Sequence, residues 1–262
     1  MDKPKMVGHR GVGFYAPENT IPSYLLTAQK GCYWGAECDI HETKDGKFIL
    51  LHDDTLNDTT DALKRFPEKK RRDGGIYACD LTLEEIKTLS IKDRDKSPMY
   101  KNVANYGEVR VPEMREYLAV CAEKGLCPVI EVKRMKDYKG FLAQIDSFGL
   151  LHKCVIISFL PKALKAILKL DPTLNTQLLF DYFVKMRGYH FRFAKRIGCR
   201  GVDVHFGSVN EKSVKMCHDM GLEMNAWEAH PNQTDEWILN VWNSGIDYIT
   251  VDYPIPGVSV NC

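Results

Sequence analysis

Short apolar runs alternate along the chain with segments whose apolar residues recur at helical spacing. This alternation favours parallel strands joined by crossover helices, and eight strand–helix units predict an α/β fold of the TIM (β/α)8 barrel type. A doubly wound open sheet is the alternative, but no G-x-G-x-x-G turn follows the first strand. The predicted strands are 6–8, 36–40, 129–132, 155–157, 177–180, 201–204, 222–226 and 248–251, and the later predicted helices are 161–170, 189–197, 210–220 and 233–243.

The regular alternation breaks once, between residues 53 and 111, which predicts an insertion after the second strand of a single barrel domain spanning 1–262. Asp45-Gly46 suits a tight turn, so residues 48–51 are expected to fold back as a hairpin arm that brings His52 to the barrel mouth. Thr82 and Glu85 form a capping-box pattern for a helix within the insertion. We expect the insertion to wall the mouth and to influence substrate choice.

The formal net charge of +1 predicts no global field that recruits nucleic acid or an anionic membrane. Lys69–Arg72 is a basic cluster, but flanking Glu68 and Asp73 favour a solvated loop. No apolar run reaches the length of a membrane span, so no stable membrane insertion is expected.

The nine cysteines form no C-x-x-C pair, and their spacing does not suit a zinc site. Cys38, Cys154 and Cys199 lie in or beside apolar runs, where a reduced thiol packs as a small apolar group. Reduced thiols favour a cytoplasmic protein, and no signal peptide is visible because Met1 leads almost directly into the first strand. A secreted or periplasmic protein remains the alternative if a leader has been removed.

Polar and aromatic residues cluster where the predicted strands end. In a TIM barrel the active site lies at the carboxyl ends of the strands, so these side chains are expected to converge on one rim. Residues two apart on a strand point to the same side, which pairs Glu37 with Asp39 and Glu131 with Lys133. The strand-end residues are His9, Arg10, Glu37, Asp39, Glu131, Lys133, Ser158, Phe159, Asp203, His205, Trp227 and Asp252.

This combination of residue types suits cleavage of a phosphodiester. The three carboxylates of Glu37, Asp39 and Glu131 can supply oxygen ligands to a divalent cation, Mg²⁺ or Ca²⁺, and barrel-rim salt bridges are the alternative role. Histidines such as His9 and His52 can transfer protons near neutral pH. The guanidinium of an arginine can bind phosphate through a fork, and a lysine can act as a point charge.

The sequence resembles the glycerophosphodiester phosphodiesterase family. The resemblance rests on G-H-R-G-V-G-F-Y-A-P-E-N-T at 8–20 and E-C-D-I-H-E-T-K-D-G-K-F-I-L-L-H-D at 37–53, with shorter matches such as E-V-K at 131–133, A-W at 226–227 and D-Y-P at 252–254. It implies a metal-dependent hydrolase that converts glycerophosphodiesters to glycerol 3-phosphate and an alcohol. In that family a substrate hydroxyl is thought to attack first and give a cyclic phosphate, but direct attack by water needs the same residues.

The resemblance implies roles for individual residues. His9 and His52 would be the acid–base pair, with the assignment of acid and base open. Glu37, Asp39 and Glu131 would hold the metal. Arg10 and Lys133 would bind the phosphate. Trp227 and Phe159 would line the glycerol pocket, and the resemblance favours Trp227 more than Phe159.

Four further residues near the expected site have competing roles. His41 and His205 are expected to be hydrogen-bonded structural histidines, with His205 a candidate to support the site. Glu18 and Asn19 can reach the site, but Asn19-Thr20 before Ile21-Pro22 is also typical of a helix cap.

Two alternative functions remain open. One is phospholipase D-type cleavage of lysophospholipids or sphingomyelin, which needs an apolar mouth, whereas the insertion is strongly charged. The other is a non-catalytic module that binds phosphodiesters, although every catalytic and metal-binding residue type is present. Three departures from the family pattern, Asp58, Glu228-Ala229-His230 and Val251, leave the preferred alcohol group open, and the sequence does not indicate an oligomeric state.

Overall fold

The structure is a computed structural model that describes residues 3–92, 109–181, 184–227 and 235–258. Eight parallel strands form a closed barrel, because the first strand pairs both with the last and with the second. The predicted TIM barrel is therefore confirmed. The parallel strands are β1 (Lys5–Gly8), β2 (Gly35–Glu42), β4 (Cys127–Val132), β5 (Val155–Ser158), β6 (Asn175–Phe180), β7 (Gly201–His205), β8 (Glu223–Trp227) and β9 (Tyr248–Val251).

Helices cover the outside of the barrel and bury one apolar face against it. In α6 the side chains of Ala163, Leu164, Ile167 and Leu168 are buried at helical spacing. Each such leucine or isoleucine contributes roughly 1.5–3 kcal/mol by leaving water. The helices are α1 (Ile21–Lys30), α2 (Ala62–Arg65), α3 (Leu83–Lys87), α4 (Met114–Lys124), α5 (Tyr138–Asp146), α6 (Pro161–Leu170), α7 (Gly188–Ile197), α8 (Glu211–Asp219) and α9 (Asp235–Trp242).

The predicted hairpin arm is present as β3 (Phe48–Leu50), which pairs antiparallel with the end of β2. Gly46 adopts a positive φ of 71° in the connecting turn, a conformation that glycine allows without a steric penalty. The described part of the insertion carries its own small apolar cluster, and Thr82 and Glu85 cap α3 reciprocally, as predicted. The cluster is composed of Ile49, Leu51, Leu56, Ala62, Ile76, Ala78, Leu81, Ile86, Leu89 and Val111.

The predicted strands and helices agree with the structure within a few residues. One predicted helix, 233–243, begins outside the described residues, and its described part is α9. Cys38, Cys154 and Cys199 are buried and free, as expected, whereas Cys32 is disulfide-bonded. Among the described helices, none combines the length and the apolar composition needed to cross a bilayer.

Candidate active site

A cavity of about 280 Å³ opens at the carboxyl ends of the barrel strands. Its lining combines acidic, basic and apolar side chains from most of the strands. Of the described residues, those that line it are His9, Arg10, Glu37, His52, Glu131, Ile157, Phe159, Leu179, Asp181, Asp203, Trp227 and Thr250. Seven of the twelve strand-end residues that were expected to converge on one rim therefore line the cavity.

The turn after β1 places Arg10 against the acidic residues of β2. Arg10 has a positive φ of 51°, which is uncommon for a residue other than glycine. In this conformation its backbone N–H donates to Glu37 Oε2 at 2.8 Å. Its side chain donates to Glu18 Oε2 at 3.0 Å and lies 3.4 Å from Asp39 Oδ2. Glu18 therefore reaches the site as a partner of Arg10.

Three buried carboxylates form the centre of the site. Glu37 and Asp39 lie two residues apart on β2, so both point into the barrel, and Asp39 pairs in register with Glu131 on β4. One ligand oxygen from each of the three residues lies within 4.8 Å of the others. Such a set of hard oxygen donors can hold a divalent cation.

Lys133 balances part of this negative charge. Its Nζ lies 2.9 Å from Asp39 Oδ1 and 2.6 Å from Glu131 Oε1. Burial opposes the charge on Lys133, but Asp39 and Glu131 outweigh it and raise the pKa of the ammonium group. Lys133 is not among the described residues that line the cavity, and its ammonium contacts the carboxylates of Asp39 and Glu131.

The three carboxylates differ in their affinity for a proton. Burial, together with the charge of Asp39, raises the pKa of Glu37 well above its usual range and that of Glu131 to about 8. Burial also acts to raise the pKa of Asp39, but Lys133, Arg10 and His52 reverse the effect and hold it well below its usual range. Asp39 is therefore the carboxylate that stays ionised, whereas Glu37 and Glu131 bind a proton more readily than usual.

Asn19 orients Asp39 rather than capping α1. Its Nδ2 donates to Asp39 Oδ2 at 2.8 Å, and its Oδ1 accepts from the backbone N–H of Asp39 at 3.1 Å and from the Tyr24 hydroxyl at 2.9 Å. Thr20 occupies the N-cap position but makes no side-chain cap hydrogen bond, because its hydroxyl donates to the Pro17 carbonyl. The capping interpretation of Asn19-Thr20 is therefore wrong for the side chains.

His9 and His52 both line the cavity, and each has a carboxylate beside its Nδ1. His9 Nδ1 lies 2.7 Å from Asp252 Oδ1, and His52 Nδ1 lies 3.0 Å from Asp53 Oδ1. Asp53 is itself fixed, since its Oδ2 accepts from the Thr59 hydroxyl at 2.7 Å. Asp252 was expected at a strand end with no assigned role, and in the structure it lies against His9.

The other two histidines near the rim have different surroundings. His41 is buried on β2 and is not among the described lining residues, and its burial lowers the pKa of the imidazole to about 4. His205 ends β7, where its Nδ1 accepts from the backbone N–H of Gly207 at 3.1 Å. Its ring packs edge-on against Trp227, with the centroids 5.4 Å apart, so it supports the wall of the cavity.

One side of the cavity is apolar and aromatic. Phe159 and Trp227 meet edge to face with ring centroids 6.2 Å apart, as expected for a pocket wall, and Ile157 and Leu179 lie beside them.

Two acidic residues of the wall have no role assigned from the sequence, although Asp203 was expected at the rim as a strand-end residue. Asp181 follows β6, and Asp203 is buried on β7, where burial raises the pKa of its carboxyl well above the usual range. Asp203 lies two residues before His205 on the same strand face, which is why the spacing placed both residues at the rim, whereas no strand pattern indicated Asp181.

The described part of the insertion does not line the cavity. Residues 54–92 and 109–110 contribute no lining side chain, and the rest of the insertion lies outside the described residues. In the described chain, the wall opposite the carboxylates comes instead from β5, β6, β7 and β8 and the residues that follow two of them.

Comparison with known families agrees with the geometry of the site. The Glycerophosphoryl diester phosphodiesterase family matches residues 9–255, a range that contains every candidate site residue. The chain belongs to this family. The resemblance inferred from the sequence motifs is confirmed, and the chain is accordingly a phosphoric diester hydrolase by family.

Two curated relatives illustrate the extent of the similarity. The glycerophosphodiester phosphodiesterase of Caldanaerobacter subterraneus subsp. tengcongensis is 26% identical over 259 residues, covering 96% of this chain and 95% of the relative. The protein of the same name from Haemophilus influenzae is 38% identical over 104 residues, which are 37% of this chain and 28% of the relative. The chain thus aligns with less than a third of the Haemophilus protein.

Two solved structures share the fold. The glycerophosphodiester phosphodiesterase of Agrobacterium tumefaciens superposes with a TM-score of 0.73 at 20% identity, over 96% of this chain and 97% of its own. A phosphodiesterase of Oleispira antarctica, solved with the product sn-glycerol-3-phosphate, gives a TM-score of 0.72 at 23% identity, over 96% and 94%. At these identities the likeness establishes the barrel fold of the family.

Proposed function

We propose that this protein hydrolyses glycerophosphodiesters to glycerol 3-phosphate and an alcohol, using a divalent cation and two histidines. One observation carries the proposal. Three buried carboxylates, two histidines and an arginine belong to one site at the mouth of the barrel. Family membership supports the reaction class, and the glycerol 3-phosphate bound as product by the Oleispira phosphodiesterase supports the substrate class.

The carboxylate cluster of Glu37, Asp39 and Glu131 fits a cation. The three buried side chains bring their oxygens within 4.8 Å of one another, and Glu37 and Glu131 resist ionisation in the absence of added positive charge. Bound there, Mg²⁺ or Ca²⁺ would polarise a phosphoryl oxygen and stabilise charge that develops during displacement.

Arg10 and Lys133 are the two basic side chains of the proposed site. Arg10 lines the cavity, and its guanidinium can donate to a phosphate oxygen while Glu18 and Asp39 hold it in place. Lys133 keeps the oxygens of Asp39 and Glu131 oriented, because its ammonium contacts both, and it is a second candidate to contact the phosphate.

His9 and His52 are the proton-transfer groups of the proposal. In each ring Nδ1 faces a carboxylate, Asp252 or Asp53, so Nε2 is the nitrogen for exchange with the substrate. One histidine would deprotonate the attacking hydroxyl, from the substrate or from water, and the other would protonate the leaving alcohol. Their assignment as base and acid stays open.

A substrate panel tests the proposal. Purified protein is incubated with glycerophosphocholine, glycerophosphoethanolamine and lysophosphatidylcholine, and the phosphorus products are identified by ³¹P NMR. We expect glycerol 3-phosphate from the two water-soluble diesters. Release of choline phosphate instead would contradict the proposed cleavage site, and exclusive turnover of lysophosphatidylcholine would favour the phospholipase D-type reaction.

A further inference from the structure

The charge of the chain is distributed unevenly around the barrel. Residues 159–200 contain nine Lys or Arg and two Asp, a net charge of +7, so the rest of the chain carries −6 within a total of +1. Helices α6 and α7 lie within this segment and contain no acidic residue. The balanced overall charge therefore conceals a strongly basic sector.

The same sector exposes most of the large apolar side chains that face solvent. In the described residues, seven large hydrophobic side chains are exposed, and five of them fall between Phe159 and Phe193. Phe159 and Leu160 directly precede α6, whereas Tyr189, which is 56% exposed, and Phe193 lie in the first two turns of α7. Exposed apolar residues scattered singly need no explanation, but a concentration of them marks a contact surface.

Charge and apolar area occupy the same faces of the two helices. Tyr189, Arg192, Phe193 and Arg196 recur at the spacing i, i+3, i+4 and i+7, which places them on one side of α7. All four are exposed. On α6 the exposed lysines also share one side, at positions 162, 165 and 169. Together with Phe159 and Leu160, these seven residues make up what we call the basic–aromatic face.

The basic–aromatic face adjoins the mouth of the cavity. β5 and β6 are neighbouring strands, and α6 and α7 each begin at the carboxyl end of the barrel, where the active site lies. Phe159 belongs to both regions, since it lines the cavity and packs against Trp227. Anything bound to this face would therefore lie beside the entrance to the active site.

We propose that the basic–aromatic face docks the barrel onto an anionic lipid bilayer. Each Lys or Arg close to an anionic bilayer contributes about 1 kcal/mol of attraction. Stable peripheral binding requires a second source of membrane affinity, such as apolar groups that insert into the bilayer. The exposed aromatic side chains provide this second contribution, because Tyr and Phe insert at the level of the lipid head groups. Arg192 and Arg196 are exposed on the same side of α7 and extend beside them.

A lipid surface fits these observations better than a nucleic acid. Interleaved aromatic and basic residues also suit single-stranded nucleic acid, but such sites are grooves in which bases stack on aromatic rings. Here the basic residues, Tyr189 and Phe193 lie on the exposed outer sides of two helices, and the face also includes Leu160, which offers no stacking surface. Docking concerns binding alone, so it stands or fails independently of the proposed hydrolysis.

Vesicle co-sedimentation tests the docking surface. The full chain is mixed with vesicles of phosphatidylcholine alone and with vesicles of phosphatidylcholine and phosphatidylserine. We expect binding to the mixed vesicles, weakened by added salt. The double substitution Arg192→Glu/Arg196→Glu should lower the partition coefficient at least roughly tenfold, since two attractions become repulsions. Tyr189→Ser/Phe193→Ser should weaken binding even at low salt.

Two matched variants distinguish docking from a general effect of charge or folding. Arg115→Glu/Lys124→Glu makes the same charge change at exposed positions of α4, away from this face, and should leave vesicle binding nearly unchanged. Arg192→Lys/Arg196→Lys keeps the charge and should keep the binding. Equal losses in the α4 and α7 reversals, absence of binding to the mixed vesicles, or tighter binding to a single-stranded RNA than to those vesicles would each overturn the proposal.

Discussion

His9 Nδ1 and Asp252 Oδ1 lie 2.7 Å apart, although 243 residues separate them in the chain. β1 and β9 are neighbours in the closed barrel, and Gly8 pairs with Val251, so the residue that follows each strand meets the other. The contact fixes the ring of His9 and directs Nε2 away from Asp252. Closure of the barrel thus orients one of the two proposed proton-transfer groups.

Replacement of Asp252 tests this orientation. Asp252→Asn keeps the shape of the side chain but removes the carboxylate that selects the tautomer of His9, so we expect kcat to fall about 10- to 100-fold. The pH dependence of kcat should shift as well, which loss of folding alone would not cause. An unchanged kcat and pH profile would show that Asp252 does not orient His9.

The histidines themselves should have larger effects. His9→Ala and His52→Ala are each expected to lower kcat by about 10²–10⁴, the usual contribution of a general acid or base, with cation affinity largely retained. His41→Ala is the matched control, because His41 is buried on β2 and is not among the described cavity-lining residues. If His41→Ala lowered kcat as much as His52→Ala, the assignment of His52 as the second proton-transfer group would be wrong.

Asn19 should control cation affinity without touching the substrate. It holds Asp39 through two hydrogen bonds, so Asn19→Ala is expected to weaken binding of Mg²⁺ or Ca²⁺ about 10- to 100-fold. Calorimetric titration of the cation measures this directly and does not require turnover. Asn57→Ala serves as a comparison in the insertion, where Asn57 bonds the backbone of Gly74 and Ile76. Equal cation affinity in wild type and Asn19→Ala would contradict the role given to Asn19.

His41 should make folding stability depend on pH. Burial lowers its pKa to about 4, below the value near 6.5 of an unfolded chain, so the folded state favours the neutral ring. The associated stability is fully present above about pH 6.5 and is lost as the pH falls towards 4, by roughly 2–3 kcal/mol. The free energy of unfolding, measured with urea, should therefore fall more steeply between pH 7 and 4.5 for the wild type than for His41→Gln. Parallel pH profiles for the two proteins would exclude this account.

The barrel and the centre of the site could be predicted because both follow from local patterns. Apolar runs located the strands, and the two-residue spacing of Glu37 and Asp39 placed both carboxylates on one face. The sequence could not decide between capping and binding for Asn19, because the choice depends on where β2 lies relative to the turn before α1.

The surroundings of the site were less predictable for a similar reason. The partnership of His9 with Asp252 requires the barrel to close, which no local pattern encodes. The insertion was expected to wall the mouth, but its described part contributes no lining side chain, whereas the buried Asp203 of β7 does. Long-range pairing decides such positions, and sequence spacing alone does not reveal it.

The most direct test of the central claim is the effect of cation removal on release of glycerol 3-phosphate. Purified protein is assayed with glycerophosphoethanolamine before chelation, in excess EDTA, and after Mg²⁺ or Ca²⁺ is restored, with Glu37→Gln in parallel. Since a bound cation stabilises transition-state charge by several kcal/mol, chelation should lower the rate at least about 100-fold. Restored cation should recover the rate in the wild type and not in Glu37→Gln. Undiminished release of glycerol 3-phosphate in excess EDTA would contradict the account.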